Sequence, residues 1–145
     1  MKEQLPLKIK RLHPNAKTPS YAHYGDAGFD IFVPEQVVME PGDRKTIPLG
    51  IAMEIPDGYV GLMFDKSSLS HKQGLKTFGN VIDSGYRGEV HAGLINQSGQ
   101  TQVLEAGQKI IQMLIIPVET VQIIETDELS ESSRGTGAFG STGKN

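Results

Sequence analysis

Cysteine and tryptophan are both absent from the 145 residues. Without thiols there can be no disulfide scaffold, no cysteine-ligated zinc or iron–sulfur site and no thiol nucleophile, and a reducing compartment suits the chain. Long apolar runs are missing as well. The most apolar stretch, Ile110 to Val118, contains Gln112 and Pro117 and falls well short of the ~20 residues that a bilayer-spanning helix needs. The opening sequence, MKEQLPLKIKRLHP, has no apolar secretory segment, so a soluble, cytoplasmic protein is expected. Charge of either sign is not in excess: 14 Lys and Arg stand against 17 Asp and Glu, a net charge of −3. Such a balance supplies no field for duplex nucleic acid. His13, His23, His71 and His91 show no metal-ligand spacing. Neither nucleic acid nor a membrane is expected as a partner, and any anionic ligand must be held locally.

What the chain has in quantity is backbone punctuation, with 17 glycines and 8 prolines. That suits short strands joined by many turns and argues against long helices, while a hydrophobic fraction of 37% is enough for one core. Period-2 alternation agrees. Ile47, Leu49, Ile51, Met53 and Ile55 alternate with Pro48, Gly50, Ala52 and Glu54, as one half-buried strand would. Leu7 and Ile9, and Val90, Ala92 and Leu94, repeat the pattern. Turn signals fall between them at Pro41-Gly42-Asp43, Pro56-Asp57-Gly58, Asp83-Ser84-Gly85 and Asn96-Gln97-Ser98-Gly99. The fold class is all-β, as a sandwich, barrel or jelly roll. Ile110 to Ile116 is apolar on both faces, which predicts cover from the core and from another subunit. One short helix is expected over Ser67–Gln73, with a Ser-rich start, a Gly74 stop and first-turn amides free to hold an anion.

Residues 131–145 cannot form a core of their own, because Phe139 is their only large apolar side chain. A disordered terminus is the plain reading. Arg134 upstream and Ser141-Thr142 downstream of a glycine-flanked ring also make the contents of an anion clamp. Two formal matches fail in context. Gly135-Thr136-Gly137-Ala138-Phe139-Gly140 fits G-x-G-x-x-G but leaves no room for the helix that must follow, and Gly143-Lys144 lacks the first glycine and the hydroxyl of a phosphate-binding loop.

Five polar segments, four of them containing glycine, remain: Asp26–Asp30, Asp65–Leu69, Gly79–Glu89, Ala106–Gln112 and Arg134–Gly143. In this order and spacing they resemble the five motifs of the trimeric deoxyuridine triphosphatases (dUTPases), over essentially the whole chain. The resemblance implies a jelly-roll domain over residues 1–130 and a C-terminal arm over 131–145 that closes on a neighbouring subunit of a homotrimer. It implies hydrolysis of dUTP to dUMP and pyrophosphate with Mg²⁺, which limits uracil in DNA and supplies dUMP for thymidylate synthesis.

By the same resemblance Asp83 orients and deprotonates the attacking water, a task a carboxylate performs without metal or thiol; as a bare Asp-x-Gly it would be an ordinary turn residue. Tyr86 packs on the deoxyribose and excludes a 2′-hydroxyl. The backbone around Gly79 and Asn80 reads uracil, where a cytosine would leave a buried polar group unpaired. Lys66, Ser67 and Ser68 meet the phosphates, with Gln112 braced by Ser67. Asp30 holds Mg²⁺ through water, consistent with a cation bound mainly by phosphates. Arg134, Ser141 and Thr142 bind the γ-phosphate, Phe139 stacks on uracil, and Gly140, with the glycines at 28, 79, 107, 135, 137 and 143, lets backbone approach the nucleotide.

The chain departs from the family pattern at Lys66, Ser68, Thr77, Gln108, Lys109 and Ala138. Lys66 keeps charge but loses the bidentate fork of arginine, and Gln108 and Lys109 are read as structural. A dCTP deaminase of the same fold is the nearest rival, and it would lack this C-terminal motif. A nucleotide-gated role, with a regulatory protein partner if the chain is phage-encoded, is the reading from a different class.

Overall fold

A computed structural model describes residues 4–143; residues 1–3 and 144–145, and with them the last two residues of the expected arm, lie outside the described residues. In chain order the elements are β1 (Lys8–Arg11), β2 (Phe29–Phe32), β3 (Val37–Met39), β4 (Arg44–Pro48), β5 (Ile51–Glu54), β6 (Tyr59–Asp65), α1 (Ser67–Gln73), β7 (Leu75–Phe78), β8 (Val81–Ile82), β9 (His91–Asn96), β10 (Gln102–Leu104) and β11 (Lys109–Pro117). All-β with one short helix is what the glycine, proline and alternation pattern predicts. Among the described residues, no helix is long and apolar enough to cross a membrane.

The strands form four antiparallel sheets: β2-β11-β6-β8, β4-β9-β7, and the two-stranded pairs β1-β5 and β10-β3. Side chains from all four meet in one core that includes Ile31, Met39, Leu49, Ile51, Met63, Leu75, Leu94, Leu104, Ile111 and Met113.

The Ile47–Ile55 alternation is not one strand. Gly50, at φ 67°, breaks it and carries the chain from β4 in one sheet to β5 in another. A side chain there would meet His13 Cβ at 2.7 Å and Ala16 Cβ at 3.0 Å, so both the backbone conformation and the close approach demand glycine. Burial still follows the predicted face, because Ile47, Leu49, Ile51, Met53 and Ile55 are all in the core.

The helix has the expected limits. Gly74 closes it in the left-handed conformation, its N–H donating to the Leu69 carbonyl. The N-cap, however, is Lys66 and not a serine, and no side chain caps the first turn.

β11 is only partly covered on its second face. Ile110, Ile111 and Met113 are buried, whereas Leu114 and Ile116 are half-buried. They share an outward sheet face with Leu62, exposed Phe64 and exposed Val81 by the β11–β6 and β6–β8 registers. After Val118, whose N–H donates to the Gly58 carbonyl at 2.8 Å, no strand or helix follows among the described residues. Val121, Ile123, Ile124 and Leu129 are then strongly exposed.

Asn96 is the fully buried polar side chain that ties strand ends together. Its Nδ2 donates to the carbonyls of Met39 (2.9 Å) and Gln100 (2.8 Å), and its Oδ1 accepts from the Ser98 amide (3.0 Å) and hydroxyl (2.7 Å). Removing it orphans a buried carbonyl at β3. Asn96→Ala is expected to lower unfolding free energy by about 2–4 kcal/mol in a urea titration; a loss below about 1 kcal/mol would contradict this role.

Candidate active site

The residues singled out in the first four segments gather in two places. The first is a polar cluster at the edge of β11. Antiparallel pairing sets Gln112 opposite Asp30 on β2 and opposite Phe64 on β6, one residue before Asp65. Asp30 is also bonded through its backbone to Ser20, N–H to carbonyl at 2.8 Å and the reverse at 3.2 Å, so its side chain is buried beside the start of the helix. There Lys66 donates to Oδ1, and Lys109 Nζ lies 2.9 Å from Oδ2. Burial acts to raise the Asp30 pKa, but the two ammonium groups outweigh it and hold the carboxyl below its ordinary value. Asp65 repeats the device: burial opposes ionisation, while Lys76 and the Thr77 amide, which donates to Oδ1 at 2.9 Å, hold its pKa down.

Two expectations change here. Gln112 is not braced by Ser67; its Nε2 donates to the Asp65 carbonyl at 2.9 Å, because β11 runs beside the end of β6 and presents the amide to backbone before the helix begins. Asp30, expected to hold Mg²⁺ through water, has both carboxylate oxygens engaged by lysine and is 3% exposed. Nor do the described residues contain a cluster of three or more His, Cys, Asp or Glu able to hold a metal. The residues present therefore do not fit a protein-held Mg²⁺ in this arrangement. Lys109, read as structural, is the second cation on Asp30, a role invisible until β2 and β11 pair. Gly28 serves packing: a Cβ there would meet Leu114 Cδ1 at 2.9 Å and Gln112 Oε1 at 3.0 Å. Gly107 takes φ 79° in the turn before β11.

The second place is a depression of about 220 Å³ lined by Gly79, Val81, Ile82, Asp83, Tyr86, Glu89 and His91. β8 ends at Ile82 and delivers Asp83 to its rim, where the Asp83 carbonyl accepts the Tyr86 N–H at 3.1 Å. The Asp83 carboxylate is exposed and makes no hydrogen bond among the described residues, so it does not act as the turn's side-chain cap. Arg87 pins the turn by donating to the Ser84 carbonyl at 2.6 Å. Asn80 donates from Nδ2 to Thr77 Oγ1 at 3.1 Å, and its carbonyl accepts from the Met63 amide. Thr77, in turn, bonds Asp65, so the chain Asp65–Thr77–Asn80 connects the two places. His91, which shows no metal-ligand spacing in the sequence, belongs to the depression; no periodic signal could have found it.

Ser67 and Ser68 are exposed at the start of α1, beside Lys66. Arg134, Phe139, Gly140, Ser141 and Thr142 join neither place. Every hydrogen bond recorded for the arm stays within residues 132–143, including Arg134 Nε to the Gly137 carbonyl at 2.8 Å. Phe139 is fully exposed, with φ 46°.

A family model described as dUTPase matches residues 14–143. A deoxyuridine 5′-triphosphate nucleotidohydrolase of Thermobifida fusca is 44% identical over 140 residues, 94% of this chain and 78% of that protein. One from Clostridium tetani is 44% identical over 95% of this chain and 97% of its own. Among solved structures, the Staphylococcus bacteriophage 80alpha dUTPase with dUPNHPP superimposes with a TM-score of 0.92 at 31% identity, over 97% of this chain and 100% of that one. A variant dUTPase from phage phi11 of S. aureus, described as revealing the coordination of a structural Mg(II) ion, matches with a TM-score of 0.82 at 29% identity, over 88% of this chain and 100% of that one.

The Asp30 cluster makes a pH prediction. Because the folded-state pKa lies below the ordinary 3.8, ionised Asp30 contributes stability above pH ~4, and that contribution disappears as pH falls through the folded value. Asp30→Asn should cost about 1–3 kcal/mol near neutrality. The gap between variant and parent, read from urea midpoints, should narrow below pH ~4; a gap constant from pH 3 to 7 would sink the assignment.

Proposed function

The chain belongs to the dUTPase family, and from that membership we propose how its residues hydrolyse dUTP to dUMP and pyrophosphate. Water adds to the α-phosphorus as the bond from that phosphorus to the leaving oxygen breaks, and the Asp83 carboxylate takes the proton of the attacking water. The observation that carries this is the exposed, hydrogen-bond-free carboxylate of Asp83 at the rim of the depression that Tyr86 and Gly79 also line. Tyr86 faces the deoxyribose, and the strand through Gly79 and Asn80 presents the backbone that reads uracil.

Charge develops on the departing pyrophosphate. Lys66, the Ser67 and Ser68 hydroxyls and amides, and Arg134 with Ser141 and Thr142 are the groups that would stabilise it, while Phe139 and Gly140 close over the base. Lys66 can leave Asp30 for a phosphate without orphaning that carboxylate, because Lys109 stays on Oδ2. Mg²⁺, the ion implied by the family, would arrive on the triphosphate oxygens and offset their charge.

The complete site would form between subunits of a homotrimer. Three observations support this reading. Lys66, Ser67 and Ser68 do not line the depression, the described arm residues 131–143 make no hydrogen bond to either place, and the apolar face of Leu62, Phe64, Val81, Leu114 and Ile116 is incompletely covered. The exposed apolar segment Val121–Leu129 is suited to lie on a neighbour, with the arm carried beyond it.

Asp83→Asn is expected to lower kcat by about 10²–10⁴ while dUTP affinity by calorimetry stays within about tenfold; near-normal turnover would refute the base. Light scattering should give three times the 15.8 kDa chain mass. Deleting residues 131–145 should leave that mass and the melting temperature intact and remove most pyrophosphate release. A monomeric mass, or a truncated chain with full activity, would overturn the shared site.

A further inference from the structure

Tyr86 is seated against a residue that has no side chain. A methyl group on Gly88 would stand 2.6 Å from Tyr86 Oη, 2.7 Å from Cζ and 3.0 Å from Cε2. The backbone of Gly88 does not itself require glycine, since Gly88 is not among the residues with positive φ. The ring does. Gly85, in the same turn and also without positive φ, has open space where a Cβ would lie.

Among the described residues, the ring's far end is hydrogen-bonded only through its hydroxyl, which donates to the Glu89 carbonyl at 2.9 Å. His91 Nδ1 lies 2.9 Å from that same oxygen. The Glu89 carboxylate accepts the Gly50 amide at 3.0 Å, fastening the turn to the corner between β4 and β5. The wall behind the ring is thus anchored, whereas the ring itself, 42% exposed, can be displaced.

We propose that Gly88 is a specificity-determining, positioning residue: by letting the Tyr86 ring lie against the backbone, it sets the clearance between that ring and the sugar of the nucleotide, and so the preference for 2′-deoxy over ribo substrates. The inference rests on the sugar-facing role of Tyr86 given above. A β-carbon at residue 88 must push the ring off by several tenths of an ångström before contacts reach the ordinary range above 3.4 Å. A ring pushed into the depression obstructs deoxyribose; a ring tipped out of it admits a 2′-hydroxyl. With the wall behind it anchored and 42% of its own surface exposed, the ring yields outward, which lowers the ratio of the two specificity constants without touching the core; a ring pushed inward would obstruct both sugars and leave the ratio unchanged.

The experiment measures kcat/KM for dUTP and for UTP by pyrophosphate release with Gly88→Ala, Gly85→Ala, Tyr86→Leu and the Gly88→Ala/Tyr86→Leu double variant. Gly88→Ala should lower the dUTP/UTP ratio by about tenfold or more, the scale of a misfitted small group in a pocket, whereas Gly85→Ala should keep it within about twofold. In the Tyr86→Leu background Gly88→Ala should change neither the ratio nor the melting temperature, because the clashing ring is gone. An unchanged ratio in Gly88→Ala, or an equal effect in both backgrounds, overturns the inference. Should Gly88→Ala fail to fold, recovery of folding in the double variant supports the ring clash and continued failure refutes it. If Tyr86→Leu itself keeps the ratio, the sugar-facing role of Tyr86 fails, independently of Gly88.

Discussion

The pairing of β11 with β2 on one side and β6 on the other decides which polar groups can meet. It sets Gln112 across from Asp30 and from the residue preceding Asp65, and it brings Lys109 to a carboxylate that β2 has already buried. Three sequence segments separated by dozens of residues become one cluster because antiparallel register leaves side chains on a common face no freedom to choose other partners. The helix start with Ser67 and Ser68, and the half-buried amide of Gln112, take their positions from that register.

An acidic chain that takes a polyanionic substrate must present local positive charge without leaving it unopposed when the substrate is absent. Here the buried Asp30 is covered by Lys66 and Lys109, and the half-buried Asp65 by Lys76. A carboxylate with two cationic partners can give one up and remain paired. Losing the sole partner of a buried charge is what destabilises strongly. The depression around Asp83 is organised differently. Its carboxylate is exposed, and its neighbours are fixed by short-range backbone bonds of the turn, with the aromatic ring resting on bare backbone.

Local features are legible in the order of residues alone. Gly74 ends the helix where a left-handed cap is expected, and the apolar members of Ile47–Ile55 go to the core. What the linear pattern misplaces is partnership. Gly50 looks like a polar-face residue in one strand and is a corner between two sheets. Gln112 finds the Asp65 carbonyl instead of Ser67, Asp30 finds lysines on both oxygens, and His91 joins the depression from a strand whose pattern gives no hint of it. Periodicity reports which way a side chain points, not what stands opposite.

The linear order of residues by itself determined the strand-and-turn character, the absence of thiol chemistry, the helix limits and the five segments that mark the family, because these depend on neighbours within a few residues or on pattern alone. Only the tertiary structure decided that Asp30 is neutralised by Lys66 and Lys109, that Asp83 keeps an unengaged carboxylate, and that Gly88 must lack a side chain for Tyr86 to lie where it does. Each of those is a question of distance between groups that the chain brings together by folding, and hydrogen bonds, ion pairs and van der Waals contacts act only over a few ångströms.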